Sequence, residues 1–253
     1  MMRFVLATGN RHKLGEYRAI LAPHQVEPMP AGVELPPEGT LSFEENARAK
    51  ALALARALLA RPALTEPEGE RPADRAGEPR TGRAGGRRAG GPTVVIADDS
   101  GIEVAALGGR PGVISARYAG VDGDDAANNA RLLAELAGRA GDEARAARFV
   151  CVIASVILPG RGAAGGRTRD EGHAGDATVD GPPLQADAVR GEWPGAIALA
   201  PQGEGGFGYD SLFVPAGRTA TVAQMSEADK NDQSHRARAA RALLARLSEA
   251  GLA

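Results

Sequence analysis

The sequence has few cysteines and aromatic residues, no long apolar run and almost no net charge. It contains one cysteine, Cys151, which excludes an internal disulfide and fits a reducing compartment. No stretch approaches the roughly 20 apolar residues that a membrane-spanning helix needs. The formal net charge of −2 gives no general attraction for nucleic acid or anionic membranes. The N-terminal MMRFVLATGN is too short for a signal peptide, so we expect a cytoplasmic protein.

A core is nevertheless available, because 43% of the residues are hydrophobic while only 4% are aromatic. Aliphatic side chains and alanine must therefore fill it. Cys151 lies in the apolar run 149–158 and is either an inert core thiol or a nucleophile. Free cysteine commonly packs as a small hydrophobe, which favours the inert thiol.

Two segments look like insertions into a single domain spanning residues 1–253. Residues 61–92 are rich in Arg, Gly and Pro and contain one large aliphatic side chain, Leu64. Residues 160–176 have a similar composition. Neither can bury enough apolar surface to offset the entropy lost on ordering. An arginine-rich nucleic-acid arm is the alternative for 61–92, but acids are interleaved with its arginines.

The remaining residues alternate between strand and helix patterns, which predicts an α/β fold with a mixed central sheet. Predicted strands are Arg3–Ala7, Val94–Ala97, Ile102–Ala106, and an antiparallel pair, Phe149–Leu158 with Ala177–Arg190, joined by the second insertion. Predicted helices are Lys13–Leu21, a helix from the Ser42/Glu45 capping box to about Ala60, Ala126–Ala137 and Ser234 to about Ser248.

The loop from Thr8 to Lys13 joins the first strand to the first helix and has features of an anion site. Backbone amides at a helix N-terminus attract phosphate, and Lys13 adds a positive charge within the first turn. Gly9 permits close approach, and Asn10 is a good N-cap residue. An ordinary strand-to-helix turn is equally compatible. The loop lacks the P-loop pattern.

Acidic residues are concentrated in two other places. Asp98 and Asp99 follow an apolar strand and precede Ser100, so they could hold a divalent ion and orient a water. If the strand continues, their side chains point to opposite faces; alternatively they cap a local turn. Glu38 precedes the second helix and is free to reach a metal, while Glu45 is better explained as a cap. Lys50 is either a solvated helix residue or a phosphate ligand.

Two later segments suit a flat polar ligand. Phe207 and Tyr209 lie among glycines in GGFGYD, which leaves room for a ring to stack, or else forms a hairpin with both aromatics packed inward. Asp210 follows as a hydrogen-bond acceptor. Lys230, His235 and Arg236 lie at the start of the last helix, where positive charge opposes the helix dipole. That cost suggests a bound anion or polar ligand, although a solvated helix start remains the alternative.

Taken together and in this order, five segments resemble the inosine/xanthosine triphosphate pyrophosphatase family. They are VLATGNRHK, LSFEENARAKA, IADDSGIEV with LGGRPGVISARYAG, GFGYDSLFVP and KNDQSHRARA, and they extend from Val5 to Ala239. The stretches 61–92 and 160–176 lie outside this resemblance. Members of the family are house-cleaning enzymes that remove deaminated purine nucleotides.

The resemblance implies a Mg²⁺-dependent cleavage of dITP, ITP, XTP or dXTP into a monophosphate and pyrophosphate. Asp99 matches the catalytic acid, which activates water and touches the metal. Glu38 is the expected second metal ligand, although the family places its glutamate before Thr-Gly and here the order is Glu38-Gly39-Thr40. The implied substrate-binding residues are Thr8, Gly9, Asn10, Arg11, His12, Lys13, Lys50, Ser100, Phe207, Gly208, Tyr209, Asp210, Lys230, His235 and Arg236. Arg11 and His12 are variable in the family, which implies backbone contacts there.

The resemblance also implies an elongated, two-lobed fold with a long mixed sheet and a cleft between the lobes. Family members are commonly homodimers. A different class of function is a nucleotide-binding regulatory module that uses the same pocket without hydrolysis. The two are separated by Asp99, since a sensor needs no metal-binding carboxylate beside the bond to be cleaved.

Overall fold

A mixed six-stranded sheet forms the centre of the part of the chain that the structure describes. The computed structural model describes residues 1–60, 92–141, 143–159 and 184–252. Within them the strand order is β2-β1-β3-β4-β5-β6, with β1 parallel to both of its neighbours and the other pairs antiparallel. The strands are β1 (Arg3–Leu6), β2 (Gln25–Pro28), β3 (Thr93–Val104), β4 (Ala146–Leu158), β5 (Asp187–Ile197) and β6 (Phe213–Pro215). The predicted α/β class with a mixed sheet is confirmed.

Helices cover both faces of this sheet. They are α1 (Arg11–Ile20), α2 (Phe43–Ala60), α3 (Asp125–Glu135), α4 (Glu227–Gln233) and α5 (His235–Glu249). The apolar stripe of α2, with Phe43, Ala47 and Leu54, packs on one face against Val95 and Val152. Helices α1 and α5 pack on the other face. In the described residues, no helix is long and apolar enough to cross a membrane.

Strand β3 is continuous where the sequence predicts two separate strands, Val94–Ala97 and Ile102–Ala106. Each residue from Thr93 to Val104 pairs with one of β4, so Asp98 to Gly101 belong to the ladder. The interpretation of Asp98 and Asp99 as turn caps is therefore wrong. Polar residues favour a turn locally, but here pairing to the apolar strand β4 supplies their backbone hydrogen bonds.

Strand β5 lies further along the chain than its predicted range. It begins at Asp187 and runs seven residues beyond Arg190, to Ile197, although it pairs antiparallel with β4 as expected. Leu184 to Ala186 have no regular structure, and 177–183 and the insertions 61–91 and 160–176 lie outside the described residues. Glycine and proline in GEWPG mask the strand pattern, because both residues are rare inside strands.

The buried residues form a larger and a smaller lobe. The two clusters on either face of β1, β3 and β4 make up the larger one. A third cluster lies at the far ends of β3, β4 and β5, where Phe149, Trp193 and Phe213 pack with Leu132 of α3. Asp98 and Asp99 lie on β3 before Ile102 and Val104, which enter the smaller lobe. This arrangement places the acidic pair between the lobes.

Gly191 allows α5 to lie directly on β5. A Cβ atom added there would come within 2.3 Å of the His235 carbonyl oxygen and the Ala239 amide nitrogen. We expect Gly191→Ala to lower the free energy of unfolding by about 2–3 kcal/mol or more, since backbone atoms cannot yield as a flexible side chain would. Urea unfolding measures the change. Gly15→Ala, where a Cβ meets no atom within 4 Å, is the control; equal stability of the two variants would contradict the close approach.

Candidate active site

The acidic pair on β3 faces in two directions from one point of the sheet. Asp98 and Asp99 are 1% and 4% exposed, and alternation along the strand separates their side chains. Asp98 and Ser100 point towards α1 and α5, whereas Asp99 points towards α2. Lys50 links the two sides, because its Nζ donates to the Asp98 carbonyl oxygen (2.6 Å) and lies 3.8 Å from Asp99 Oδ1.

Asp98 is the anionic centre of a buried ion cluster. Lys13 Nζ lies 3.1 Å from each of its carboxylate oxygens, and Arg236 Nε lies 3.4 Å from Oδ2. Arg236 also donates to Ser100 Oγ at 2.8 Å. Burial favours the neutral acid, but the charges of Lys13, Arg236 and Lys50 outweigh it and hold the pKa of Asp98 well below its ordinary value. Asp98 is therefore ionised and holds Lys13 in place.

Asp99 has fewer compensating partners. Asn46 Nδ2 donates to its Oδ2 at 2.8 Å, and the amide of Ser100 donates to Oδ1. Burial raises the pKa of Asp99 to about 6; Lys50 opposes this rise and the nearby Glu38 carboxylate adds to it. A carboxylate whose pKa is this close to neutrality can accept a proton from water more readily than an ordinary aspartate.

Glu38 reaches the same point from the loop before α2. Its Oε1 accepts from Lys50 Nζ at 2.9 Å, and its Oε2 lies 3.5 Å from Arg117 Nη1. Arg117 also donates to the carbonyl oxygens of Glu38 and Gly39. Burial opposes ionisation, but chiefly Lys50 lowers the pKa of Glu38. Glu38 and Asp99 thus share one ammonium group.

Asp99 and Glu38 offer the kind of oxygen donor that a magnesium ion would take. Mg²⁺ takes one or two protein carboxylates and completes its shell with phosphate oxygens and water. Within the described residues no group of three or more His, Cys, Asp or Glu side chains could hold a metal. Asp99, whose pKa is raised, and Glu38 both lie within 4 Å of Lys50 Nζ, so two carboxylates share one positive charge and a further cation would be favourable.

A second ion cluster lies beside the first. Lys230 Nζ lies 2.7 Å from both Asp210 Oδ2 and Glu16 Oε1, and Arg236 Nη1 lies 3.0 Å from Glu16 Oε2. Burial raises the pKa of Asp210 despite the charge of Lys230. For Glu16, burial is outweighed by Arg236 and Lys230, which lower the pKa. Glu16 therefore joins Lys230 of α4 to Arg236 of α5.

His235 is neutral and has a free nitrogen. It is 3% exposed, and its ring stacks on Phe149 with centroids 4.7 Å apart. Burial, and then the charges of Arg236 and Lys230, lower its pKa well below the ordinary value. Its Nδ1 is buried and has no hydrogen-bond partner among the described residues. A ligand group that paired with this nitrogen would remove the cost of an unsatisfied polar atom.

The loop that contains Phe207 closes the cluster from the smaller lobe. Lys230 Nζ and Arg236 Cζ lie 4.7 and 5.2 Å from the centre of the Phe207 ring. Asp210 accepts from the Phe207 amide at 2.9 Å. Gly206, at φ +76°, is required here because a Cβ would meet Asp210 Oδ2 at 2.1 Å. Phe207 is therefore held against the cations by its own loop.

Gly208 and Tyr209 support this loop. The Gly208 amide donates to Asp125 Oδ2, and its carbonyl oxygen accepts from Asn129. Tyr209 is buried, and its hydroxyl donates to the Ser115 carbonyl oxygen at 2.9 Å. Tyr209 thus packs inward, as the hairpin alternative held, whereas Phe207 faces the cations.

The first loop places the start of α1 beside the same cluster of side chains. Asn10 Oδ1 accepts from the amides of His12 and Lys13, and Thr8 Oγ1 accepts from the Asn10 amide. A Cβ at Gly9 would meet nothing within 4 Å. Arg11 is exposed. His12 reaches Phe207, with ring centroids 5.6 Å apart and planes inclined by 28°.

The structure thus brings most predicted site residues into one connected cluster. The side chains linked by direct contacts are His12, Lys13, Glu38, Lys50, Asp98, Asp99, Ser100, Phe207, Asp210, Lys230 and Arg236, with His235 beside them. Thr8, Gly9 and Asn10 shape the first loop, and Gly208 and Tyr209 shape the fourth segment. Glu45 only caps α2, since its amide donates to Ser42 Oγ and its carboxylate accepts from the Ser42 hydroxyl.

Three site residues were missed from the sequence. Asn46 could have been found because it precedes Lys50 by one helical turn and so shares its face. Glu16 follows Lys13 by three residues on α1, so the two side chains lie on one face of the helix and Glu16 could have been found in the same way. Arg117 gives no such signal, because only the fold brings it to Glu38.

Comparison with known proteins gives a consistent result. A family model described as the Ham1 family matches residues 4–69 and 83–246. The gap at 70–82 lies within the predicted first insertion, whereas 160–176 lies inside the matched range. The dITP/XTP pyrophosphatase of Nocardia farcinica is 41% identical over 259 aligned residues, covering 98% of this chain and 96% of that protein. That of Ralstonia nicotianae is 39% identical, covering 98% and 97%.

Solved structures agree with the sequence comparison. The Ham1 protein of Staphylococcus aureus is 30% identical, with a TM-score of 0.65 and 98% coverage of both chains. A nucleoside-triphosphatase, dITP/XTP pyrophosphatase, of Mycobacterium abscessus is 33% identical, with a TM-score of 0.58 and coverage of 96% and 99%. The matched range includes every segment that contributes a side chain to the cluster. The chain therefore belongs to the Ham1 family.

Proposed function

We propose that this protein hydrolyses dITP, ITP, XTP and dXTP to the monophosphate and pyrophosphate. The single observation that carries the proposal is the position of Asp99, a buried carboxylate of raised pKa next to Lys50 and Glu38. Its relatives named dITP/XTP pyrophosphatases support the substrate class. Removal of these nucleotides would prevent their incorporation into DNA and RNA.

The charges around Asp99 suit a triphosphate. Lys13, Lys50 and Arg236 place three cationic groups around the acidic pair. Transfer of a phosphoryl-type group depends mainly on positioning and on neutralising charge. Asp99 would orient a water and accept its proton while the water oxygen attacks phosphorus. The bond from that phosphorus to the bridging oxygen then breaks, and pyrophosphate leaves.

Magnesium is the cofactor that we propose, held by Glu38 and Asp99. When bound it would supply positive charge to the phosphate oxygens. Lys50, whose Nζ lies 2.9 Å from Glu38, would then contribute its charge to the substrate as well as to the two carboxylates. Asn46 would keep the Asp99 carboxylate oriented through its hydrogen bond.

Selection of the base would depend on Lys230, His235 and Arg236. A 6-keto purine offers an acceptor oxygen where adenine offers a donor amino group. Lysine and arginine donate only, so an amino group facing them leaves buried donors unpaired, which costs about 1–3 kcal/mol each. The unpartnered Nδ1 of the neutral His235 is a further polar atom available to the base.

We further propose that the enzyme is cytoplasmic and homodimeric and that it binds neither nucleic acid nor membranes. The chain's net charge of −2 supports the absence of a general nucleic-acid interaction. The homodimer rests on the resemblance of its motifs to the pyrophosphatase family. Analytical sedimentation of the purified protein tests the homodimer, since a dimer and a monomer differ twofold in mass.

Pyrophosphate release from a panel of nucleotides tests the function. With Mg²⁺ present, we expect dITP and XTP to give pyrophosphate without orthophosphate, at rates at least about 100-fold above that for ATP, since each unpaired donor costs about 1–3 kcal/mol. Removal of the metal with a chelator should abolish the reaction. Tight nucleotide binding without pyrophosphate release would instead indicate the regulatory module. Equal rates on ATP would contradict the proposed base selection.

A further inference from the structure

His12 is placed unlike any other residue of the first loop. It occupies the first turn of α1, next to Lys13, but the two side chains diverge. Lys13 points inward to Asp98, whereas the imidazole of His12 extends to Phe207 in the smaller lobe. The contact therefore joins the first loop to the Phe207 loop beside Lys230 and Arg236.

We propose that His12 and Phe207 form a two-sided clamp that holds the nucleotide base between their rings. The proposal rests on the function proposed above and adds a base-binding residue to it. The two rings stack directly on each other in the structure, with centroids 5.6 Å apart. A base between them needs a separation of about 7 Å, which is two stacking distances of about 3.5 Å.

The surroundings of the two rings favour this opening. Phe207 is fixed, since its amide donates to Asp210 and its ring contacts Lys230 and Arg236. His12 is exposed, and its imidazole makes no hydrogen bond to another described residue. The imidazole can therefore move away without breaking a polar contact. Its return onto the base would replace one stacked pair with two.

The same geometry directs the polar edge of the base. A ring lying on Phe207 has Lys230 and Arg236 close by, with the neutral His235 adjacent in sequence to Arg236. Lys13, next to His12, lies on the phosphate side with Asp98. Consecutive residues of one helical turn would thus bind opposite ends of one nucleotide. The stack supplies affinity for any flat base, and the cations supply the choice among bases.

Substitution of His12 tests the clamp through the split between KM and kcat. We expect His12→Ala to raise KM for dITP about tenfold, the loss typical of one stacking contact, with kcat unchanged within about twofold. His12→Phe should restore KM to within about threefold of the native value. Gly15→Ala, one turn further along α1 and in open space, is the control that leaves KM unchanged.

A ligand without a base separates stacking from a general disturbance of the loop. Inhibition by inorganic tripolyphosphate should be the same in the native protein and in His12→Ala. The clamp is refuted if His12→Ala weakens inhibition by tripolyphosphate by the same factor by which it raises KM for dITP. It is also refuted if KM for dITP stays constant or falls in this variant.

Binding measurements keep this result independent of catalysis. Calorimetric titration of dITP into Asp99→Asn and into Asp99→Asn/His12→Ala measures binding without turnover. We expect the His12→Ala change to raise Kd by the same factor by which it raises KM. An inactive native protein would overturn the proposed hydrolysis, yet the titration would still decide the role of His12. Equal Kd values for the two variants would overturn the clamp alone.

Discussion

Asp99→Asn is expected to lower kcat for dITP by about 10²–10⁴-fold, the range for loss of a general base. The amide cannot accept a proton from water, although it retains the size of the carboxylate and an oxygen that can accept from Asn46. Nucleotide binding should change little, because Lys13, Lys50 and Arg236 remain. Steady-state pyrophosphate release and calorimetric titration measure the two effects separately.

The same variant should make the metal-free protein more stable at neutral pH. The pKa of Asp99 is raised from 3.8 to about 6, so its ionised form is disfavoured in the folded state. The native acid stabilises the fold only while protonated, and this contribution is lost as the pH rises through about 6. At 1.4 kcal/mol per pKa unit, Asp99→Asn should be more stable by roughly 1–3 kcal/mol at pH 7.5.

The pH dependence and a matched variant check this interpretation. The gain in Asp99→Asn should disappear as the pH falls from 6 towards 3.8. Glu45→Gln, an acid-to-amide change at the exposed cap of α2, should leave both kcat and stability nearly unchanged. Normal turnover in Asp99→Asn would refute the role of Asp99 as the general base. A lower stability of this variant at pH 7.5 would refute the claim that the charge of Asp99 is poorly compensated in the folded protein.

Asp98→Asn, one residue away, should have the opposite effect on stability. Asp98 is ionised and pairs with Lys13 and Arg236, both of which keep their charge in the variant. Removal of one partner from a buried ion cluster typically costs about 3–5 kcal/mol. We therefore expect a lower free energy of unfolding by about 3 kcal/mol at pH 7.5, measured in urea.

At acidic pH the free energies of unfolding of Asp98→Asn and of the native protein should become more similar. The folded-state pKa of Asp98 is lowered, so the stability that it contributes is present above its ordinary pKa of 3.8 and is lost as the pH falls below that value. Destabilised Asp98→Asn and stabilised Asp99→Asn would together show that neighbouring carboxylates have opposite electrostatic environments. Equal shifts in the same direction would contradict the division of the pair across the sheet.

The prediction of secondary structure succeeded where the periodicity of apolar residues was strong. It failed where glycine, proline or acidic residues suggested a break in a strand. Apolar residues at helical spacing predicted α2 and α5, and a continuous apolar run predicted β4, within a few residues of their observed bounds. The predicted bounds of strand β5 were wrong because Gly191 and Pro194 are residue types that usually interrupt strands. In the structure Gly191 is needed for the approach of α5, a requirement that no local pattern contains. The short elements β2, α4 and β6 carry too few residues to show a period.

The candidate site was predictable as a set of residues but not as a set of contacts. Motif order grouped Asp99, Lys13 and Arg236 because their residue types suit a metal, a phosphate and a polar base. Which carboxylate was charged could not be read from an Asp-Asp pair. The answer depends on Lys13 and Arg236 reaching Asp98 from α1 and α5, and on Asn46 reaching Asp99 from α2.

By itself the sequence determined the α/β class, the five segments that carry the chemistry and the kind of ligand that they suit, since these follow from residue type, order and short-range spacing. Only the tertiary structure decided that β3 runs unbroken through Asp98 and Asp99, which sends one carboxylate to each face of the sheet. It also decided that His12 meets Phe207. Both results depend on residues far apart in the chain, because pKa values and ring contacts are set by the groups that folding brings within a few ångströms.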